Sequence, residues 1–226
     1  DDAEAVGQHG VFVPQLVDSA QLERLDLNEY RAIVIPNLTV VNEEVVGKLH
    51  DFVFGGGGLW VALGPRTDVE AFNQFFFADG DGLAPLELDR IVEEQSGESD
   101  LTGRTHQATL DASVNVHPAT TELADTERLD TRDVTVQQRF RFVPAPEGED
   151  VSVLVGLSNG EPVAVEKYVG SGRVIVQSIP LRLQWSQLTR SQAFVVMVQD
   201  WLAYLSQPRA TRHNLSPGDP ITVHVA

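Results

Sequence analysis

The chain has 226 residues and carries 33 acidic against 16 basic side chains, a net charge of −17. A field of that sign repels nucleic acid and anionic membrane surfaces, so neither is expected as a partner. Cysteine is absent, which excludes disulfides, zinc–thiolate sites and any thiol nucleophile.

Residues 11–17 alternate as a strand, and Asp18-Ser19 then opens a short helix through about Leu25. Residues 30–36 form a continuous apolar run of the kind seen in strands buried on both faces. Asn42 is a good N-cap, with Glu43 and Glu44 well placed in the first turn. Val45, Val46, Leu49, Phe52 and Val53 recur at helical spacing, and Gly55 supplies the stop. Residues 59–63 are a second buried strand. Strands and helices alternating over short connections predict right-handed crossovers on a parallel sheet.

After Gly64-Pro65 the rhythm changes. Residues 69–77 predict a short helix, and residues 86–155 show alternation, turn signals and acidic loops. Residues 109–116 and 134–143 read as strands. The second places Val134, Val136, Phe140 and Phe142 on one face and Arg139 and Arg141 on the other. Residues 162–168 and 173–179 flank Val169-Gly-Ser-Gly172 as a hairpin. Thr189 or Ser191 then opens a helix to about Ser206. It is apolar nearly all round, so it is expected to be largely buried, and Pro208 ends it.

The succession Tyr30-Arg-Ala-Ile-Val-Ile-Pro-Asn37, a helix, then Gly55-Gly-Gly-Gly-Leu-Trp-Val-Ala-Leu-Gly64 resembles the front half of class I glutamine amidotransferase-like domains. Gly170-Ser-Gly-Arg-Val-Ile-Val-Gln177, followed by Trp185 and the last helix, is similar to the closing hairpin and helix of that superfamily, its trehalose-utilisation-like branch included. The whole is most similar to such domains in bacterial membrane proteins that also carry a von Willebrand factor A domain. The resemblance covers residues 11–64 and 150–220. It implies an extracytoplasmic part of a membrane-anchored protein, with a cytoplasmic location as the alternative. The Asp1-Asp2 start and the strand-like residues 221–225 agree with a piece of a larger protein.

Carried over position by position, the family's catalytic groups are missing. Leu63-Gly64-Pro65 stands where the nucleophile elbow belongs, and Ile179-Pro180-Leu181 where the histidine and glutamate belong. None of these accepts a proton or attacks a carbonyl. No catalytic residue and no cofactor are therefore expected, and the chain is not expected to be an enzyme.

Other chemistry is weaker. Gly55 to Gly58 follow a helix and precede a strand, the reverse of a phosphate loop. Asp79-Gly-Asp81-Gly82 hints at calcium, but Leu83 sits at the third ligand position. Asp79 and Asp81 are thus the weak metal candidates in a chain expected to hold no metal. Glu93, Glu94, Glu98 and Asp100 read as an acidic loop. The six histidines show no metal-ligand spacing, and His117 before Pro118 reads as a turn residue. Trp185 and Trp201 read as core anchors rather than a sugar platform.

The expected fold is an α/β three-layer sandwich, flavodoxin-like or amidotransferase-like, with a mostly parallel sheet and an inserted antiparallel β subdomain. One domain is expected over 1–226: core 11–64 and 150–207, insertion about 65–149, and a C-terminal linker or strand 208–226. The expected role is a non-catalytic interaction or scaffold module. Its partners would be other domains of the parent protein or a partner protein, with no direct membrane insertion. The alternative is a hydrolase or ligand-binding domain with a site beyond the carboxyl ends of the parallel strands. Asn37, Gly64, Arg66 and Gln184 would then line it.

Overall fold

The computed structural model describes residues 12–22, 24–39, 42–94, 108–113, 115–125, 129, 131–146 and 151–207. Residues 12–18 lie outside any sheet and are exposed apart from the half-buried Val17, with Leu16 98% exposed. The expected first strand is therefore not part of the sheet. Helix α1 (Ser19–Leu22) is a single turn closed by a reciprocal cap. Asp18 Oδ1 accepts from the Gln21 N–H, and Gln21 Oε1 accepts from the Asp18 N–H.

Strand β1 (Ala32–Ile35) leads to helix α2 (Glu43–Phe54) and strand β2 (Gly58–Ala62). Asn42 Oδ1 accepts from the Val45 N–H at 2.9 Å, and the helix buries the predicted stripe Val45, Val46, Leu49, Phe52 and Val53. Helix α3 (Val69–Ala71), capped by Asp68, widens into a π turn over Phe72–Phe77. Strands β3 (Leu88–Glu93), β4 (Leu110–Asp111), β5 (Gln138–Phe142), β6 (Ser152–Leu157), β7 (Pro162–Val169) and β8 (Gly172–Gln177) follow. Helix α4 (Gln192–Ser206) comes last among the described elements.

The main sheet runs β1-β2-β8-β7-β6-β4, and β3 pairs with β5 in a second, two-stranded sheet. Only the β1–β2 and β2–β8 pairs are parallel; β8–β7, β7–β6 and β6–β4 are antiparallel. This corrects the expected flavodoxin-like three-layer sandwich with a mostly parallel sheet. The molecule is rich in sheet, and that sheet is mixed. The misreading has a physical cause: an apolar run marks burial on both faces, whatever direction the neighbour runs. Gly170, at φ +57° in the tight turn, sends β8 back beside β7. Of the strands within residues 65–149, β4 joins the far edge of the main sheet, while β3 and β5 form the second one.

Successive side chains on β2 and β8 point to opposite faces. Leu59, Val61, Val174 and Val176 pack with α2 in one cluster. Trp60 and Ile175 pack with α4 in the other. Trp60 meets Trp201 edge-to-face at 5.0 Å. The small sheet is tied across the end of the large one. The Phe140 N–H donates to Ser178 O at 2.9 Å, and the Gln137 N–H to Trp185 O at 2.8 Å. Arg139, expected on the face of its strand opposite Phe140, is only 2% exposed. Its guanidinium is held by Glu94, with Nε to Oε1 at 2.6 Å, and by Glu161 at the β6–β7 turn. Alternation placed it correctly opposite Phe140; only the packing of the second sheet on the first shows that both faces are covered.

Candidate functional site

β1, β2 and β8 end side by side, where the sequence places a candidate ligand site. The Leu63 N–H donates to Gln177 O at 2.9 Å, and the side chains of Leu63 and Ile179 are fully buried there. Asn37 and Gly64 are brought together so closely that a methyl group on Gly64 would stand 1.8 Å from Asn37 Oδ1. Thr67 locks the turn: its Oγ1 accepts from the Gly64 N–H at 3.0 Å and donates to Leu38 O at 2.8 Å. Arg66 and Gln184 are exposed and take no part in this contact. Asn37 Oδ1, Gln177 Oε1 and Ser178 Oγ are buried without hydrogen-bond partners among the described residues. The buried Leu63 belongs to the core on the α2 side and the buried Ile179 to the core on the α4 side, and among the described residues the Ser178 hydroxyl has no hydrogen-bond partner to activate it.

A polar cluster missed in the sequence lies on the α4 face of the sheet. Glu166, within β7, accepts from His117 Nε2 at 2.9 Å, and the Ala119 N–H donates to His117 Nδ1 at 3.1 Å. Since Nδ1 accepts, Nε2 carries the proton, and neither nitrogen is left to take one from a substrate. His117 thus caps the 3-10 turn at 118–120, as a turn residue should. Tyr204 of α4 joins the cluster: its hydroxyl pairs with that of Tyr168 at 2.8 Å, and Arg173 lies 4.1 Å over its ring. The available signal was a glutamate in β7 directly after the apolar Val163-Ala-Val165.

Burial pushes the Tyr204 phenol well above its ordinary value; bonding to Tyr168 and the nearby Glu166 carboxylate add to this, against Arg173. In the unfolded chain a tyrosine loses its proton near pH ~10, while the folded chain keeps it. The unfolded state then binds fewer protons, so stability falls as pH rises above about 10. Urea midpoints measured from pH 8 to 11 should show that decline, and Tyr204→Phe should flatten it.

An open cleft of about 620 Å³ runs past Phe77, Pro85, Pro144 and Tyr168 beside the 79–82 turn. Asp79 and Asp81 are exposed there. The carbonyl oxygens that a calcium ion would need are taken by an ammonium group: Lys167 Nζ donates to Gly80 O at 2.5 Å and Gly82 O at 2.7 Å. Among the described residues, no three His, Asp or Glu side chains group to hold a metal.

Residues 15–184 match the family described as the beta-galactosidase trimerisation domain. The chain belongs to this family. Trimerisation domains are non-catalytic oligomerisation modules, and their partners are other protein chains. By structure, the chain is similar to the cytoplasmic protein STM3548 from Salmonella typhimurium, with a TM-score of 0.60 at 16% identity. That match covers 86% of this chain and 77% of the other. The cytoplasmic protein STM1381 from Salmonella typhimurium LT2 gives a TM-score of 0.59 at 18% identity, covering 80% of this chain and 74% of that one. A beta-galactosidase from Rahnella sp. R3 matches at 15% identity and a TM-score of 0.49, over 81% of this chain and 24% of that one. No curated protein matches the chain in sequence.

Membership of the trimerisation family corrects the resemblance to class I glutamine amidotransferase-like domains. The residues that carried it are packing devices of a crossover: Gly57 makes room for the Phe52 ring and Gly58 for the backbone of Leu205. The membrane-anchored, extracytoplasmic placement rested on that resemblance and falls with it. No described helix is long and apolar enough to cross a membrane.

Proposed function

We propose that this chain is an oligomerisation domain that joins copies of itself in a trimer, together with any catalytic domain attached to it. The observation that carries the reading is the family match over residues 15–184. The chemistry of His117 and Lys167 agrees with it, since the one caps a turn and the other bridges carbonyl oxygens. Sedimentation velocity on the chain at micromolar concentration tests it. A species near 74 kDa, three times the 24.7 kDa chain, is expected. A single species of one chain's mass at every concentration would sink the proposal.

A further inference from the structure

Copies of a chain carrying −17 repel one another, so self-contact is least opposed where charge is absent. Helix α4 offers such a place. Of its 15 residues Asp200 alone is charged. The buried stripe is Ala193, Met197, Trp201, Tyr204 and Leu205. At about 100° per residue, the opposite side carries the exposed Gln192, Val195 and Gln199 and the half-buried Leu202, Ala203 and Ser206, none of them charged. Val195 is 58% exposed. The sequence predicted a largely buried helix from its all-round apolar character; Gln192, Val195 and Gln199 are its exposed residues, and the rest are buried or half-buried. A helix exposed on its outer side ordinarily carries charges there.

The adjoining sheet edge has the same character. Ala32 of β1 packs into the cluster under α4, and Val34, two residues on and on the same face, is 37% exposed. β1 ends the sheet on this side among the described strands, and its residues Ala-Ile-Val-Ile include no charge to discourage pairing. We infer that the outer face of α4, with Val34 beside it, is the surface on which a second copy of this chain docks. The inference rests on the oligomerisation reading and gives it a location. α4 lies beyond the matched residues 15–184, so this surface is argued from the chain's own side chains.

Val195→Glu and Gln199→Glu each place a negative charge at the centre of the face. Gln199 is exposed and polar, so its replacement removes no packing and stands as the decisive variant if Val195→Glu fails to fold. Both variants should raise the dissociation constant by about thirty-fold or more, the usual consequence of burying an unpaired charge at an interface. Their melting temperatures at concentrations where all species are monomeric should match the wild type. A folded Gln199→Glu chain that assembles as tightly as the wild type overturns this location and leaves the oligomerisation reading standing. A wild-type chain that never assembles removes both.

Discussion

Arg139→Ala is expected to lower the unfolding free energy by about 3–5 kcal/mol, the cost typical of breaking a buried ion pair from one side. The guanidinium is enclosed, and its partners come from different places: Glu94 just after β3 and Glu161 between β6 and β7. Losing it leaves the partly enclosed Glu94 carboxylate without its cation and unties the small sheet from the large one. A second variant separates these effects. Arg139→Met with Glu94→Gln keeps the volume and removes the charge, and should recover most of the loss. Urea unfolding of the three proteins decides it. A loss below about 1 kcal/mol for Arg139→Ala would mean that the pair behaves as a solvated surface bridge.

Trp201→Ala is expected to cost about 3–5 kcal/mol, the range for deleting a buried aromatic side chain. Trp201 is fully buried on the sheet-facing side of α4 and meets Trp60 of β2 edge-to-face. Its removal opens a hole between the helix and the sheet that supports it. Because α4 carries the proposed docking face, the same variant should also weaken assembly, whereas Trp201→Phe should keep most of both. Thermal unfolding alongside sedimentation tests the pair of effects. Assembly undiminished in a destabilised Trp201→Ala chain would detach α4 from the interface.

The local devices were legible in the chain. Asn42 and the Val45–Val53 stripe specify α2, because capping and helical periodicity involve only near neighbours. Gly170 and Gly172 mark the β7–β8 turn, and the tryptophans were read as anchors; Trp185 and Trp201 are both buried. Of the candidate ligand residues, Asn37 and Gly64 do meet, since each follows one of two parallel strands by two residues. The exposed Arg66 and Gln184 depend on loop paths that spacing does not encode.

Composition by itself determined that the chain uses no thiol chemistry and disfavours nucleic acid: a missing atom type and a summed charge need no fold to act. The order of elements and their caps were likewise local properties. Strand direction, the pairing of β4 with the main sheet and the enclosure of Arg139 were decided only by the tertiary structure. Each depends on groups distant in sequence, such as Arg139 and Glu94, 45 residues apart. The same holds for α4. Its apolar surface is written in the sequence, but which side meets the sheet and which side stays exposed depends on how the helix lies across β2 and β8.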